Sequence, residues 1–219
     1  ASVQAVDFSG YWTPLFHEDN MDRVPGPTVG DYTGLPIDAA ARLQADSYDA
    51  DRLSAIPEYQ CRPEAADYAM RGLAIMHVTA DVDPETQQIT AYHTRMGFMD
   101  AQRTIYMDGR PHPPAIAPHT WGGFSTGEWE GNMLNIYTTH LKPYVYRRNG
   151  VPSSDKRTMT EHWVRHGDYL TVVTVVEDPV FLTEPLVHSQ SWAVNLGGTS
   201  TYTWCVGAPE LPLGEGVVP

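Results

Sequence analysis

The sequence predicts an all-β protein: an antiparallel meander of eight to nine strands closed into a barrel, preceded by a loop-rich arm with one short helix. Three observations carry this. From Leu73 onward, β-branched and aromatic residues alternate with polar ones in short runs bounded by Gly, Pro, Asn or Asp. Two pairs of runs are separated by Gly131-Asn132 and Gly167-Asp168, the two-residue signature of a tight hairpin. Almost no helical periodicity lies between the runs, which excludes a parallel α/β sheet with its crossover helices.

Residues 1–70 form the arm, rich in Pro, Gly and Asp, with a helix expected over Ile37–Ser47, where Ala40, Ala41 and Leu43 follow Pro36. The barrel is expected over residues 71–206. Its first runs are LAIMHVTADV, QITAYHTRM and RTIYM, followed by the Pro-rich loop that leads to Trp121. GEWEG and MLNIYTTHL make the first hairpin, TMTEHWVRH and YLTVVTVVED the second, and LVHSQSWAV and TYTWCV supply the last two strands. A sheet of this size removes its edges by closing, and up-and-down connectivity favours a barrel over a sandwich. Residues 207–219, with three prolines and no periodicity, read as a loose tail of this single domain.

The chain has 219 residues, of which 42% are hydrophobic, 11% aromatic and 19% charged, a composition that builds one substantial core. Its net charge of −13 opposes polyanion binding and excludes nucleic acid as a partner. No apolar run approaches the ~20 residues that cross a bilayer, so no membrane insertion is expected. The opening ASVQAVDFSG resembles the end left by presequence cleavage, and the expected location is outside the cytoplasm, periplasmic or secreted. In that setting Cys61 and Cys205 are expected to form a disulfide, worth up to about 4–5 kcal/mol by chain entropy. Two buried thiols in a cytoplasmic protein are the alternative.

Five of the nine histidines, His112, His119, His140, His162 and His166, fall between Arg110 and Asp168. Imidazole moves protons and binds transition metals near neutral pH, so the cluster points to chemistry. Alternation puts Glu161, Trp163 and Arg165 on one strand face and His162 and His166 on the other. If the former face looks inward, it offers a carboxylate, a guanidinium and an indole to a flat ligand. A Glu–Arg brace with Trp163 as core is the structural alternative. Tyr92 and His93 point to opposite faces, and His77 lies on the facing strand. His140 ends the stripe of Leu134, Ile136 and Thr138, while Tyr137 lies on the other face. His119 and Trp121 follow Pro118 in a loop, where binding groups concentrate.

The segment DFSGYWTP places Gly10-x-Trp12 in the opening strand, and resembles the Gly-x-Trp opening of lipocalin-like (calycin) barrels, whose indole plugs one end. Over residues 57–190, the runs RPHPP, PHTW, FSTGEWEG, TTHL, RNGVPSSD, TEHW and VEDPVFLTEP resemble a large, mostly uncharacterised group of exported bacterial β-rich proteins. That resemblance implies an exported β-rich fold and transfers no catalytic residue.

The expected function is acid–base chemistry on a small, partly apolar and possibly aromatic substrate in the barrel cavity, as a lyase, dehydratase or isomerase without a cofactor. His119, His140 and His93 are the proton-transfer candidates, with Tyr92 and Glu161 assisting and Arg165 holding an anionic oxygen. Trp121, Trp163, His77 and Tyr137 are the substrate-binding candidates. A lipocalin-like carrier without catalysis is one alternative. The other is a metalloenzyme with one transition metal held by His93, His119 and His140, although HExxH, Cys-x-x-Cys and His-x-His motifs are missing. The sequence leaves a homo-oligomer open. Phosphate loops and the Gly-x-Ser-x-Gly elbow are absent.

Overall fold

The structure is a computed structural model that describes residues 6–15, 30–48, 62–72 and 74–198. Cys61, Cys205, the TYTWCV run and the tail after residue 206 lie outside the described residues. The strands are β1 (Gly10–Pro14), β2 (Met76–Val82), β3 (Ile89–Met96), β4 (Gln102–Tyr106), β5 (Phe124–Glu130), β6 (Met133–Thr139), β7 (Tyr144–Val145), β8 (Pro152–Ser153), β9 (Thr158–His166), β10 (Tyr169–Glu177) and β11 (Leu186–Val194). The helices are α1 (Ala39–Asp46) and α2 (Ala66–Ala69).

Nine strands close into the expected barrel in the order β1-β11-β10-β9-β6-β5-β4-β3-β2, with β2 pairing back to β1. Strands β7 and β8 form a separate ribbon. Both hairpin turns occur as expected: Gly131 and Gly167 open them at φ 61° and 60°, a region that glycine enters without steric cost.

Two features depart from a simple meander. Strand β1 comes from the stretch that reads as an arm and closes the barrel between β2 and β11. Strand β4 pairs parallel to β5, through Ile105↔Ser125 and Tyr106↔Thr126. A parallel pair needs a connection that returns along the barrel. Residues 107–123 supply it without a helix, because Pro111, Pro113, Pro114 and Pro118 keep the return extended.

Helix α1 is shorter than its sequence pattern suggests. Asp38 caps it by accepting a hydrogen bond from Ala41 N at 2.8 Å, while Ile37 is drawn into a bridge with Leu182. Ala41 and Ala45 face the body, and Leu43 faces solvent.

The barrel interior is filled by inward residues such as Trp12, Met76, Tyr92, Ile105, Leu134, Trp163, Val172 and Trp192. One end is closed by Phe8, whose ring lies 5.5–5.9 Å from those of Tyr92, Trp129 and Trp163. Trp12 plugs this end, donating from Nε1 to Phe8 O at 2.9 Å, with the Arg165 guanidinium 5.2 Å above its ring. At the opposite end a second core joins the arm to the barrel through Tyr32, Ala45, Leu141, Tyr146, Val151, Met159 and Val176.

Candidate functional site

Pairing register assembles a polar band inside this second end. His188 on β11 faces Thr174 on β10, and Thr174 faces Glu161 on β9. Because cross-strand partners share a face, all three project into the barrel. Arg103 reaches Glu161 from β4 with two hydrogen bonds, Nη1 to Oε2 at 2.5 Å and Nη2 to Oε1 at 2.9 Å. Trp163 Nε1 donates to the same carboxylate at 3.1 Å. Both charges are buried, and each is compensated by the other. Next to this pair, Thr174 Oγ1 and His188 Nε2 are buried without a hydrogen-bond partner among the described residues.

Above the band lies a cavity of about 270 Å³ lined by Leu35, Asp67, Tyr68, Arg71, Tyr146, Arg147, Val176, Leu186, His188 and Ser189. Helix α2 supplies its acidic wall. Asp67 is fixed there by Arg157, whose Nε and Nη2 donate to the carboxylate at 2.9 and 3.0 Å. Arg157 also donates from Nη1 to Ser154 O and Lys142 O, so one buried guanidinium ties α2 to two loops. Arg71 donates to Tyr146 O at 3.3 Å and lies 5.4 Å over the Tyr68 ring.

Behind the cavity Tyr146 donates to Asp178 at 2.9 Å. Burial, reinforced by the carboxylates of Asp67 and Asp178, pushes the Tyr146 phenol far up and keeps it protonated. Burial opposes the charge of Asp178. Hydrogen bonds from Ser154 N and Oγ, Val180 N and Tyr146 outweigh that cost and hold it below the usual carboxylate range.

The His188 imidazole is displaced towards neutrality. Burial is the main cause, and the positive charge of Arg71 adds to it; Asp67 and Glu161 pull the other way without prevailing, and the pKa falls to about 4. The ring is partly reached through the cavity, while its Nε2 is sealed from solvent. A neutral imidazole with an unengaged nitrogen is a proton and hydrogen-bond acceptor, and a shift of the ring is what would turn Nε2 towards a small molecule in the cavity.

The other candidates are distributed differently. Tyr92, Glu161 and Trp163 point inward; Tyr92 packs in the core, burial pushes its phenol up to about 12, and its hydroxyl donates to Val6 O at 3.4 Å. Arg165 also points inward, but at the plugged end, where it donates to Asp7 O and Gly167 O. His77 lies on the outer wall, stacked on Tyr11 at 4.0 Å, and burial followed by the charge of Arg95 lowers its pKa. Trp121 lies between Tyr144, 5.7 Å away, and the Lys142 ammonium, 4.9 Å away.

His119 and His140 do meet, with ring centroids 5.2 Å apart, but on the outer wall beneath the 107–123 return. The residue that joins them is His112, and its ring lies 5.0 Å from that of Tyr137. His93 is not part of this group: its Nδ1 is 3.0 Å from Thr104 Oγ1 and its Nε2 is 2.8 Å from Asp81. Strand alternation places His93 on the outer face because Tyr92 takes the inner one. The proposed His93–His119–His140 metal triad therefore does not assemble, and among the described residues no three His, Cys, Asp or Glu side chains converge as a metal site.

Asp67, Arg71, Arg103, Tyr146, Thr174 and His188 are absent from the sequence-based candidates. For His188 a signal existed: in LVHSQSWAV, Leu186, His188, Gln190 and Trp192 occupy one face, a polar pair inside an apolar frame. Arg103, two residues from the inward Ile105, carries the same signature. Asp67 sits on a four-residue helix with no periodicity to read, and Arg71 follows that helix in the turn after its C-cap Met70. The chain matches no family model, and no curated protein or solved structure is similar enough to count as a match.

Proposed function

We propose that this protein is a small-molecule enzyme that works by proton transfer at the open end of its barrel, with His188 as the proton acceptor. The observation that carries the reading is the neutral His188 imidazole, whose Nε2 lacks a partner beside a cavity of about 270 Å³. That volume suits a compact metabolite, near the lower limit of ordinary ligand pockets. Leu35, Val176, Leu186 and Tyr68 offer an apolar wall, and Arg71, Arg147 and Ser189 offer polar contacts. Tyr146, protonated and anchored on Asp178, contributes a fixed wall. Elimination and isomerisation fit these groups, since both need one base and an oriented polar substrate.

This reading moves the chemistry from the outer histidines to His188 and keeps Glu161 as the buried counter-charge of Arg103. A lipocalin-like carrier is less favoured, because among the described residues Trp12, Trp163 and Trp192 fill the barrel below the band. An exported, periplasmic or secreted setting belongs to the proposal on the resemblance of the His-rich stretch, and fractionation of the native host tests it.

The experiment is a turnover screen of the full chain against small hydroxy acids, enols and unsaturated acids, followed by His188→Gln on any hit. A fall of about 10²–10⁴ in kcat at unchanged melting temperature is expected for loss of a general base. Unchanged turnover in His188→Gln defeats the assignment. Saturable binding with every ligand recovered intact favours the carrier.

A further inference from the structure

We infer that the outer wall formed by β6, β9, β10 and β11 is a self-complementary interface, through which two copies of this chain pair face to face. This goes beyond the proton-transfer reading and does not depend on it.

The four strands pair antiparallel in unbroken register and make one continuous wall. Alternation turns Trp163, Leu170, Val172 and Trp192 inward and leaves the residues between them outside. Four of the nine large apolar side chains that stand exposed among the described residues lie on this wall: Tyr137, Val164, Tyr169 and Val187, at 41–58% exposure. Tyr137, Val175 and Val187 share a single cross-strand row with Thr160.

Charge is what sets the wall apart. The chain carries 14 Lys and Arg against 27 Asp and Glu. None of them occupies an outward position of these four strands except Glu177, the last residue of β10. The boundary is abrupt, because the next strand, β5, turns Glu128 and Glu130 outward beside Asn135 and Met133. Further round the barrel, β2 and β3 carry the exposed Asp81 and the half-buried Arg95. An uncharged, partly apolar centre bordered by charge is the layout of an interface core and its rim.

The same charge pattern selects the partner. A strongly basic or acidic protein finds nothing on the wall to pair with, whereas a second copy brings an equally uncharged surface. Two copies of net charge −13 approach with least repulsion when these walls face each other, a two-fold arrangement in which the same patch serves both sides. At ordinary strand spacing and rise, the wall measures about 19 Å by about 27 Å, on the order of 500 Å² in plan. Side-chain relief adds to that figure, which approaches the ~800 Å² per partner of a stable complex. Polar groups on the wall are already paired, with His162 Nδ1 donating to Asn135 Oδ1 at 2.6 Å and the Thr171 and Ser191 hydroxyls 3.2 Å apart. Covering them costs little.

The test is sedimentation velocity of the full chain between 1 and 100 µM, for the wild type, Val164→Lys, Val187→Lys and the control Ile116→Lys. Ile116 is 92% exposed on the 107–123 return, off the wall. The wild type is expected at twice the chain mass, and each wall variant raises the dimer Kd by a factor of about 10² or more, since a lysine there must be desolvated against an uncharged surface. The control leaves Kd unchanged, and melting curves show that every variant folds. Hydroxyl-radical footprinting of the wild type alone gives an independent readout, with Tyr137 and Tyr169 labelled less at 100 µM than at 1 µM. A monomer at 100 µM overturns the proposal, whether residues 199–219 of the same chain or a different protein cover the wall. A dimer that survives both wall lysines, or that forms with no change in tyrosine labelling, overturns it as well.

Discussion

His112 and His140 are joined through the hydroxyl of Thr139, which lies 2.7 Å from Nδ1 of each ring. The hydrogen-bond network defines the direction of every bond when the rings are neutral. Pro114 O can only accept, so His140 Nε2 donates to it at 3.0 Å, and His140 Nδ1 accepts from Thr139. Thr139 in turn accepts from His112 Nδ1, and His112 Nε2 accepts from Thr126 at 2.9 Å. His140 stands at φ 58°, a left-handed conformation that this bonding compensates. The chain clamps the Pro-rich return onto the outer wall of β5 and β6.

Replacing Thr139 with valine keeps the shape and removes the bridge. Two imidazole nitrogens lose their partner, and a loss of about 1–3 kcal/mol is expected. Urea denaturation at pH 7.5 reads it. An unchanged midpoint would show that the clamp contributes nothing to stability.

The pH dependence of stability has a definite sign. The pKa of His188 falls from the ordinary 6.5 to about 4, so between those values the unfolded chain binds a proton that the folded one refuses. Its contribution is complete above about pH 6.5 and is lost as pH falls towards 4, a swing of about 3 kcal/mol. Burial lowers His77 and His112 in the same direction, with Arg95 and His140 adding to each. Comparing the wild type with His188→Gln at pH 7 and pH 4.5 should give a visibly smaller acid penalty in the variant; parallel profiles would mean that His188 titrates normally.

The Arg103–Glu161 pair makes a directional prediction. Arg103→Met strands the Glu161 carboxylate inside the barrel, at a cost of about 3–5 kcal/mol. Adding Glu161→Gln removes the stranded charge and should restore a large part of that loss. If the double variant is as unstable as the sum of the two single ones, the coupling is absent.

Arg157 should govern the mouth more than the barrel. Arg157→Leu releases Asp67 and the two carbonyls it holds, so backbone amides of residues 66–72 are expected to exchange faster, while those of β9 and β10 stay protected. Hydrogen exchange by mass spectrometry resolves the two regions. Uniform loss of protection would mean that Arg157 supports the whole barrel.

Much of the architecture is legible from local chemistry. Alternation in TMTEHWVRH and YLTVVTVVED, with Gly167 at the bend, suffices for the second hairpin and for the inward direction of whichever face is apolar. The same alternation places Glu161 and Trp163 on a common face with Arg165. It cannot place them along the barrel, and Arg165 lies at the plugged end, away from Glu161's partner Arg103.

The histidine cluster shows the limit most plainly. Sequence proximity brings His112, His119 and His140 together, since residues 107–123 must return alongside β5 and β6. It does not decide which side of the wall they occupy, and the extended prolines run outside.

Residue order and chemistry alone determined the β class, the strand faces and both hairpin turns, because period-two alternation and turn glycines act over a few residues. Tertiary structure decided the parallel β4–β5 pair, the recruitment of β1, and the meeting of Asp67, Arg103, Glu161, Thr174 and His188. Those residues are contributed by α2, by β4 and by the consecutive strands β9, β10 and β11. Only barrel closure sets the register that aligns them, and only burial within it makes His188 neutral.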